Sequence, residues 1–212
     1  MIAQPKQKYT LEEYLELDEK SEEKFEYWDG NVWTMSGASL AHNTIVLNIG
    51  SELRTGLHPL GCRAFPSDMR IFVPDYPPYR YPDVTALCGR PEIKKTGNLE
   101  LLTNPQLIVE VLSDSTEGFD RGDKFSYYKS IESFTEYLLV AQHRPHVSQF
   151  IKQGENFWNH TEYNDLEEAV ALRFARAKLS SARFTAKSNL RKDRFLTTRL
   201  SNESTVAFRC SD

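Results

Sequence analysis

The sequence predicts one α/β core, in the order helix, three strands, helix, strand, with a hairpin attached at each end. Three observations carry this. A helical pattern over Ser39 to Thr55 is followed by strand-like runs at Ala64 to Val73, Tyr81 to Cys88 and Gln106 to Leu112. A second helical stretch, Glu117 to about Ser130, precedes a further apolar run at Glu136 to Val140. The 212 residues, 40% apolar and 12% aromatic, suit a single core rather than two. The expected boundaries are a flexible N-terminus over 1–9, one domain over 10–180 and a basic irregular tail over 181–212.

Thr10 with Glu13 forms a capping box that opens a short helix to about Lys20, with Leu11, Tyr14, Leu15 and Leu17 as its apolar set. K-F-E-Y-W and N-V-W-T-M flank Asp29-Gly30, a pair suited to a tight hairpin turn. Ile45, Val46, Ile49 and Leu53 make the buried stripe of the next helix, and His42 lies at its start. In the strand after it, Asp68, Arg70 and Phe72 share one side. P-D-Y-P-P-Y is a rigid loop, because proline removes ladder donors. Arg90 to Asn104 reads as an exposed loop. Gln106 to Leu112 is apolar except for Glu110, which suits a central strand covered on both faces. Gly122 interrupts the helix after it, and Asp120 and Lys124, four apart, share a face. Val147 to Ile151 and Asn156 to Trp158 pair around Gln153-Gly154, and no packed element is expected after about residue 180.

Net charge is -4, unevenly spread: residues 172–212 hold ten Lys/Arg against three Asp/Glu, a local net of +7. Such a balance excludes a protein that simply coats nucleic acid, while a local basic surface still attracts a polyanion. The tail is open to three readings: a DNA-binding arm, a solvent-exposed tail or a dimer element. No apolar run reaches the roughly eighteen residues a membrane span needs, and no secretory signal is evident. Cys62, Cys88 and Cys210, odd in number and without metal-ligand spacing, point to a reducing, cytoplasmic setting and away from zinc.

Chemistry concentrates between Arg80 and Lys124. Asp83 in Y-P-D-V and Glu110 in L-I-V-E-V-L are acids in apolar strands, which costs several kcal/mol without a compensating partner. If the strands are neighbours, two hard oxygen donors meet, and with the Val111 main-chain carbonyl they suit Mg²⁺. Lys124 would then orient water or stabilise phosphate charge, with Asp120 holding it in place. Each has a plainer reading: Asp83 as a turn aspartate, Glu110 in a salt bridge, Asp120 bonded to nearby backbone, His42 as an exposed helix-terminal residue rather than a cleft wall.

F-E-Y-W-D-G with V-W-T-M-S-G, His42 ahead of its helix, S-D-M-R-I, Y-P-D-V, P-Q-L-I-V-E-V-L-S, D-R-G-D-K and E-Y-L-L-V follow one another over roughly residues 10–141. In order and spacing they resemble the restriction-endonuclease-like family abundant in cyanobacteria, within the PD-(D/E)xK nuclease superfamily. The resemblance implies a restriction-endonuclease-like mixed sheet flanked by helices, and metal-dependent hydrolysis of DNA using Mg²⁺ or Mn²⁺. It also implies a homodimer, with Asp83, Glu110 and Lys124 as the catalytic set. The superfamily's usual lysine, two residues after the glutamate, is Leu112 here; the family's lysine on the following helix matches Lys124. Glu26, Asp68 and Arg70 match polar positions of the family signatures. A second expectation is a nucleic-acid-binding or regulatory protein that keeps the fold with little activity.

Overall fold

A computed structural model describes residues 8–28, 30–34, 37–165 and 168–180. The expected basic tail, most of the expected N-terminal segment and the turn residue Asp29 lie outside the described residues.

The chain opens with α1 (Leu11–Lys20), whose Thr10–Glu13 capping box closes in both directions. The strands β1 (Phe25–Trp28) and β2 (Asn31–Thr34) pair antiparallel with Glu26 opposite Trp33. Helix α2 (Leu40–Leu57) follows, capped by the Ser39 hydroxyl, which accepts from the His42 N–H. Its buried residues, Ile45, Ile49, Leu53 and Leu57, recur every fourth position and form one stripe. Each is worth about 1.5–3 kcal/mol of burial. Next come β3 (Cys62–Pro66), β4 (Arg70–Phe72), β5 (Tyr79–Arg80), β6 (Val84–Cys88), β7 (Ile93–Thr96), β8 (Leu99–Leu102) and β9 (Leu107–Leu112). The short helices α3 (Glu117–Arg121) and α4 (Asp123–Tyr128) lead to β10 (Glu136–Ala141), β11 (Val147–Lys152), β12 (Trp158–Tyr163), β13 (Ala169–Leu172) and β14 (Ala177–Ser180).

A mixed six-stranded sheet, in the order β12-β11-β10-β9-β6-β3, forms the centre. Only β9 and β10 run parallel; the other pairs are antiparallel. All of β9 is buried, as its apolar run requires. Leu107, Val109 and Val111 face the α2 stripe, whereas Ile108 and Leu112 join an aromatic core with Phe125, Tyr128, Phe134 and Tyr137. Glu110 lies between Ile108 and Leu112 in the strand and so projects toward the aromatic side. A third core packs α1 and the β1–β2 hairpin against Tyr79, Tyr81, Leu99 and Leu101. At its centre the buried Asp18 carboxylate accepts from the hydroxyls of Tyr79 and Tyr81 and from the Arg70 guanidinium.

Three expectations are corrected. The strand expected over Ala64 to Val73 is two, β3 and β4, in different sheets. Pro66 ends the first, and its carbonyl accepts from the Met69 N–H in the turn between them. The loop expected over Arg90 to Asn104 contains the β7–β8 hairpin, which completes a four-stranded sheet β5-β4-β8-β7. Its turn uses Gly97 at φ 58°, and β8 buries Leu99, Leu101 and Leu102, which the charged Lys94 and Lys95 of β7 mask in the sequence. Cys62 and Cys88, read as pointing to a reducing setting, face each other across β3 and β6 and form a disulfide, so they no longer carry that argument. No helix among the described residues is long and apolar enough to cross a membrane.

Candidate functional site

The antiparallel register of β6 and β9 pairs Val84 with Val109, so one step further Asp83 comes opposite Glu110. A hydrogen bond fixes this placement: the Val111 N–H donates to Asp83 Oδ2 at 2.7 Å. His42, in the first turn of α2, puts Nε2 3.2 Å from the same oxygen. Burial disfavours a charge on His42, but the Asp83 carboxylate and the Val111 carbonyl outweigh it and raise the histidine pKa above its usual value. Its Nδ1 is buried without a hydrogen-bond partner.

Lys124 arrives from the other side. The break at Gly122 sets its direction: a Cβ there would sit 3.1 Å from the Gly118 carbonyl oxygen, so only glycine fits without displacement. From α4, Lys124 Nζ reaches Glu110 Oε1 at 2.9 Å and Asp120 Oδ1 at 3.3 Å. Both acids and the lysine are buried. Burial, with Asp120 and Asp83 close by, lifts Glu110 well above the ordinary carboxylate range despite the pull of Lys124. Burial works against the lysine charge, yet Glu110, Glu26 and Asp120 together hold Lys124 firmly protonated. Glu26, on β1, therefore looks into the same cluster, and its Oε1 is buried without a hydrogen-bond partner.

Six sequence-predicted residues thus converge: Glu26 from β1, His42 from α2, Asp83 from just before β6, Glu110 from β9, Asp120 from α3 and Lys124 from α4. Asp68 does not join them; it lies in the β3–β4 turn, its side chain 77% exposed and paired with Lys24. Arg70 is spent on Asp18 and the Tyr79 and Tyr81 rings. Sequence reasoning missed Tyr128, whose hydroxyl donates to Glu110 Oε1 at 2.8 Å. The signal was present, since Tyr128 stands one turn after Lys124 on the same helix face. It also missed Gln142, which donates to the Leu112 carbonyl at 2.9 Å and accepts from the Ser39 hydroxyl at 2.7 Å, joining the end of β9 to the cap of α2. Nothing in the sequence near Gln142 marks that role.

Among the described residues no group of three or more His, Cys, Asp or Glu is placed to hold a metal ion. The donor set nevertheless suits a hard cation. It is made of carboxylate oxygens, one of them orphaned on Glu26, and three acids, Glu110, Glu26 and Asp120, share the buried Lys124. Two carboxylates with water and substrate phosphate are a common Mg²⁺ arrangement.

The structure superposes on the crystal structure of a putative nuclease belonging to DUF820 from Anabaena variabilis ATCC 29413, with a TM-score of 0.64 over 82% of this chain and 96% of that one. At 20% identity the likeness speaks for the fold, a mixed α/β core with a central sheet flanked by helices. Two Synechocystis sp. relatives are similar in sequence. Uncharacterized protein sll1609 is 38% identical over 72% of this chain and 86% of its own length. Uncharacterized protein slr1290 is 34% identical over 81% and 90%. The family model described as "Uma2: Putative restriction endonuclease" matches residues 11–182. The chain belongs to the Uma2 family, on the PD-(D/E)xK nuclease fold.

Proposed function

We propose that this protein is a divalent-metal-dependent nuclease that hydrolyses DNA phosphodiester bonds. The observation that carries the reading is Glu110: a carboxylate on a fully buried central strand, bonded to Lys124 and facing Asp83 across the sheet. Burial of that kind costs more than a structural ion pair returns, and a site with work to do is the economical reason to keep it. Asp83 and Glu110, with the Val111 carbonyl, would hold Mg²⁺ or Mn²⁺. When bound, such a cation lowers the pKa of an attacking water and neutralises phosphate charge.

The remaining roles belong to the chain itself. Lys124 keeps its proton on Nζ and presents a fixed positive charge where a phosphate oxygen gains negative charge. Asp120 holds the ammonium from one side, and the Tyr128 hydroxyl fixes the Glu110 carboxylate from the other. His42 and the Val111 N–H together orient Asp83.

The test is Mg²⁺- or Mn²⁺-dependent cleavage of supercoiled and single-stranded DNA by wild type, Glu110→Ala and Lys124→Ala. Cutting that needs the metal and disappears in both variants is the expected result; cutting that survives both overturns it. A second reading, a DNA-binding or regulatory protein with little activity, is favoured by the lack of a three-ligand metal group among the described residues. It predicts DNA binding with no metal-dependent cutting. Size-exclusion chromatography with light scattering tests the homodimer that the family reading carries with it.

A further inference from the structure

We infer that Trp33 is a nucleobase-stacking platform beside the carboxylate–lysine cluster, so that bound nucleic acid presents an unstacked base next to the site. The inference rests on the nuclease reading and adds what part of the substrate is gripped. In the β1–β2 hairpin Glu26 and Trp33 are directly opposed, which places their side chains next to each other on one face. The other face, with Phe25, Tyr27 and Val32, packs into the core around Tyr14, Tyr79 and Tyr81.

Glu26 tells where its face points: its Oε1 is buried, and its charge acts on Lys124 and Tyr128. Trp33 is one cross-strand neighbour away from that interior, yet 48% exposed. The hairpin therefore turns a large aromatic ring to solvent beside the buried acids, instead of placing it with Phe25 and Tyr27 on the packed side.

A nucleotide links a phosphate to a flat π-face through one sugar. With the phosphate held near Glu110 and Lys124, the next group within reach of the hairpin is a base. The acids around Glu26 disfavour a second phosphate there, while a neutral base is tolerated. Stacking on an indole is indifferent to base identity, because every base has a π-face. The ligand class is accordingly an unpaired nucleotide: a single strand, or a duplex opened at the cut.

The experiment measures fluorescence anisotropy of a labelled single-stranded oligonucleotide, with Ca²⁺ in place of Mg²⁺, binding to wild type, Trp33→Ala and Trp33→Phe. A series of oligonucleotides carrying one abasic site each is measured alongside. Trp33→Ala is expected to weaken binding about ten-fold, with Trp33→Phe keeping most of the affinity. One abasic position should weaken wild type by a similar factor and leave Trp33→Ala unaffected. Thermal unfolding midpoints of the variants control for the fold. Equal affinity of wild type and Trp33→Ala, or the same abasic penalty in both, overturns the stacking role. If that happens while wild type still cuts DNA with metal, the nuclease reading stands alone. If wild type neither binds nor cuts any DNA, both fall.

Discussion

Glu110 and Glu136 occupy neighbouring parallel strands, both buried, yet they are held by opposite means. Glu136 faces the α2 side and is satisfied by neutral donors: the Gln149 side-chain amide and the N–H groups of Arg173 and Phe174. Glu110 faces the aromatic side and is met by a charged lysine, a tyrosine hydroxyl and the fields of further carboxylates. Glu136 pins the β13–β14 hairpin to the sheet through the Arg173 and Phe174 N–H groups. Glu110 sits in a cluster where several acids gather around one buried lysine. On the proposed nuclease reading, the difference separates an acid retained for architecture from one retained for chemistry, and neutral against charged compensation is the mark that tells them apart.

The comparison breaks most visibly in activity. Glu110→Ala should lower metal-dependent cleavage by about a hundred-fold or more, whereas Glu136→Ala should leave the rate per folded molecule unchanged, as read in single-turnover assays corrected for the folded fraction. Next in size is Lys124→Ala, expected to cost about 3–5 kcal/mol in urea unfolding at neutral pH because it strands a buried carboxylate. That cost should shrink as pH falls and Glu110 takes up a proton. Replacing both partners, Lys124→Met with Glu110→Leu, should restore most of the loss; failure to do so would mean the pair is there for stability after all.

Glu136→Ala should cost about 2–3 kcal/mol, since it leaves buried donors unanswered. Its titration gives a sign as well. Burial raises the folded Glu136 pKa above 4.5, despite the donors around it. The folded state then binds the proton more tightly than the unfolded chain, so this group's stabilisation is full below its unfolded pKa and falls as pH rises through the raised value. Carbon-13 NMR of the Glu136 carboxyl should show a midpoint above the ordinary glutamate range, and an ordinary midpoint would remove the effect. The smallest expected change is at His42. Its pKa is raised by Asp83, so the stabilisation it gives is present below about 6.5 and is lost above that, through the raised folded value. His42→Ala should cost about 1 kcal/mol at pH 6 and less at pH 9, measured by urea unfolding at both.

Much of this is legible in the sequence itself. An acid enclosed by L-I-V and V-L announces its own cost, and β9 proved central and covered on both faces. Gly122 marked the break between α3 and α4, and the four-residue spacing of Asp120 and Lys124 brought them to one ion pair. What stayed hidden depends on long-range register. The Cys62–Cys88 bond spans 26 positions and exists because β3 pairs with β6 in one particular alignment. The β8 strand was obscured by its charged partner, whose residues are exposed at a sheet edge. Glu136, in E-Y-L-L-V, looks locally like Glu110 in L-I-V-E-V-L; only its partners, contributed by residues 149, 173 and 174, distinguish the two.

The clasp of Ser39, Gln142 and Leu112 carries a consequence for how this chain tolerates changes in length. It fixes the starting phase of α2, while Ile45, Ile49, Leu53 and Leu57 fix the phase of the rest against the sheet. One residue inserted or deleted between Ser39 and Ile45 would swing His42 by about 100° relative to the stripe and take it off Asp83. That stretch is therefore length-locked, whereas lengthening the Gly97 turn of the sheet-edge hairpin would disturb only its own tie, Asn98 donating to Glu19, and leave the acids in place.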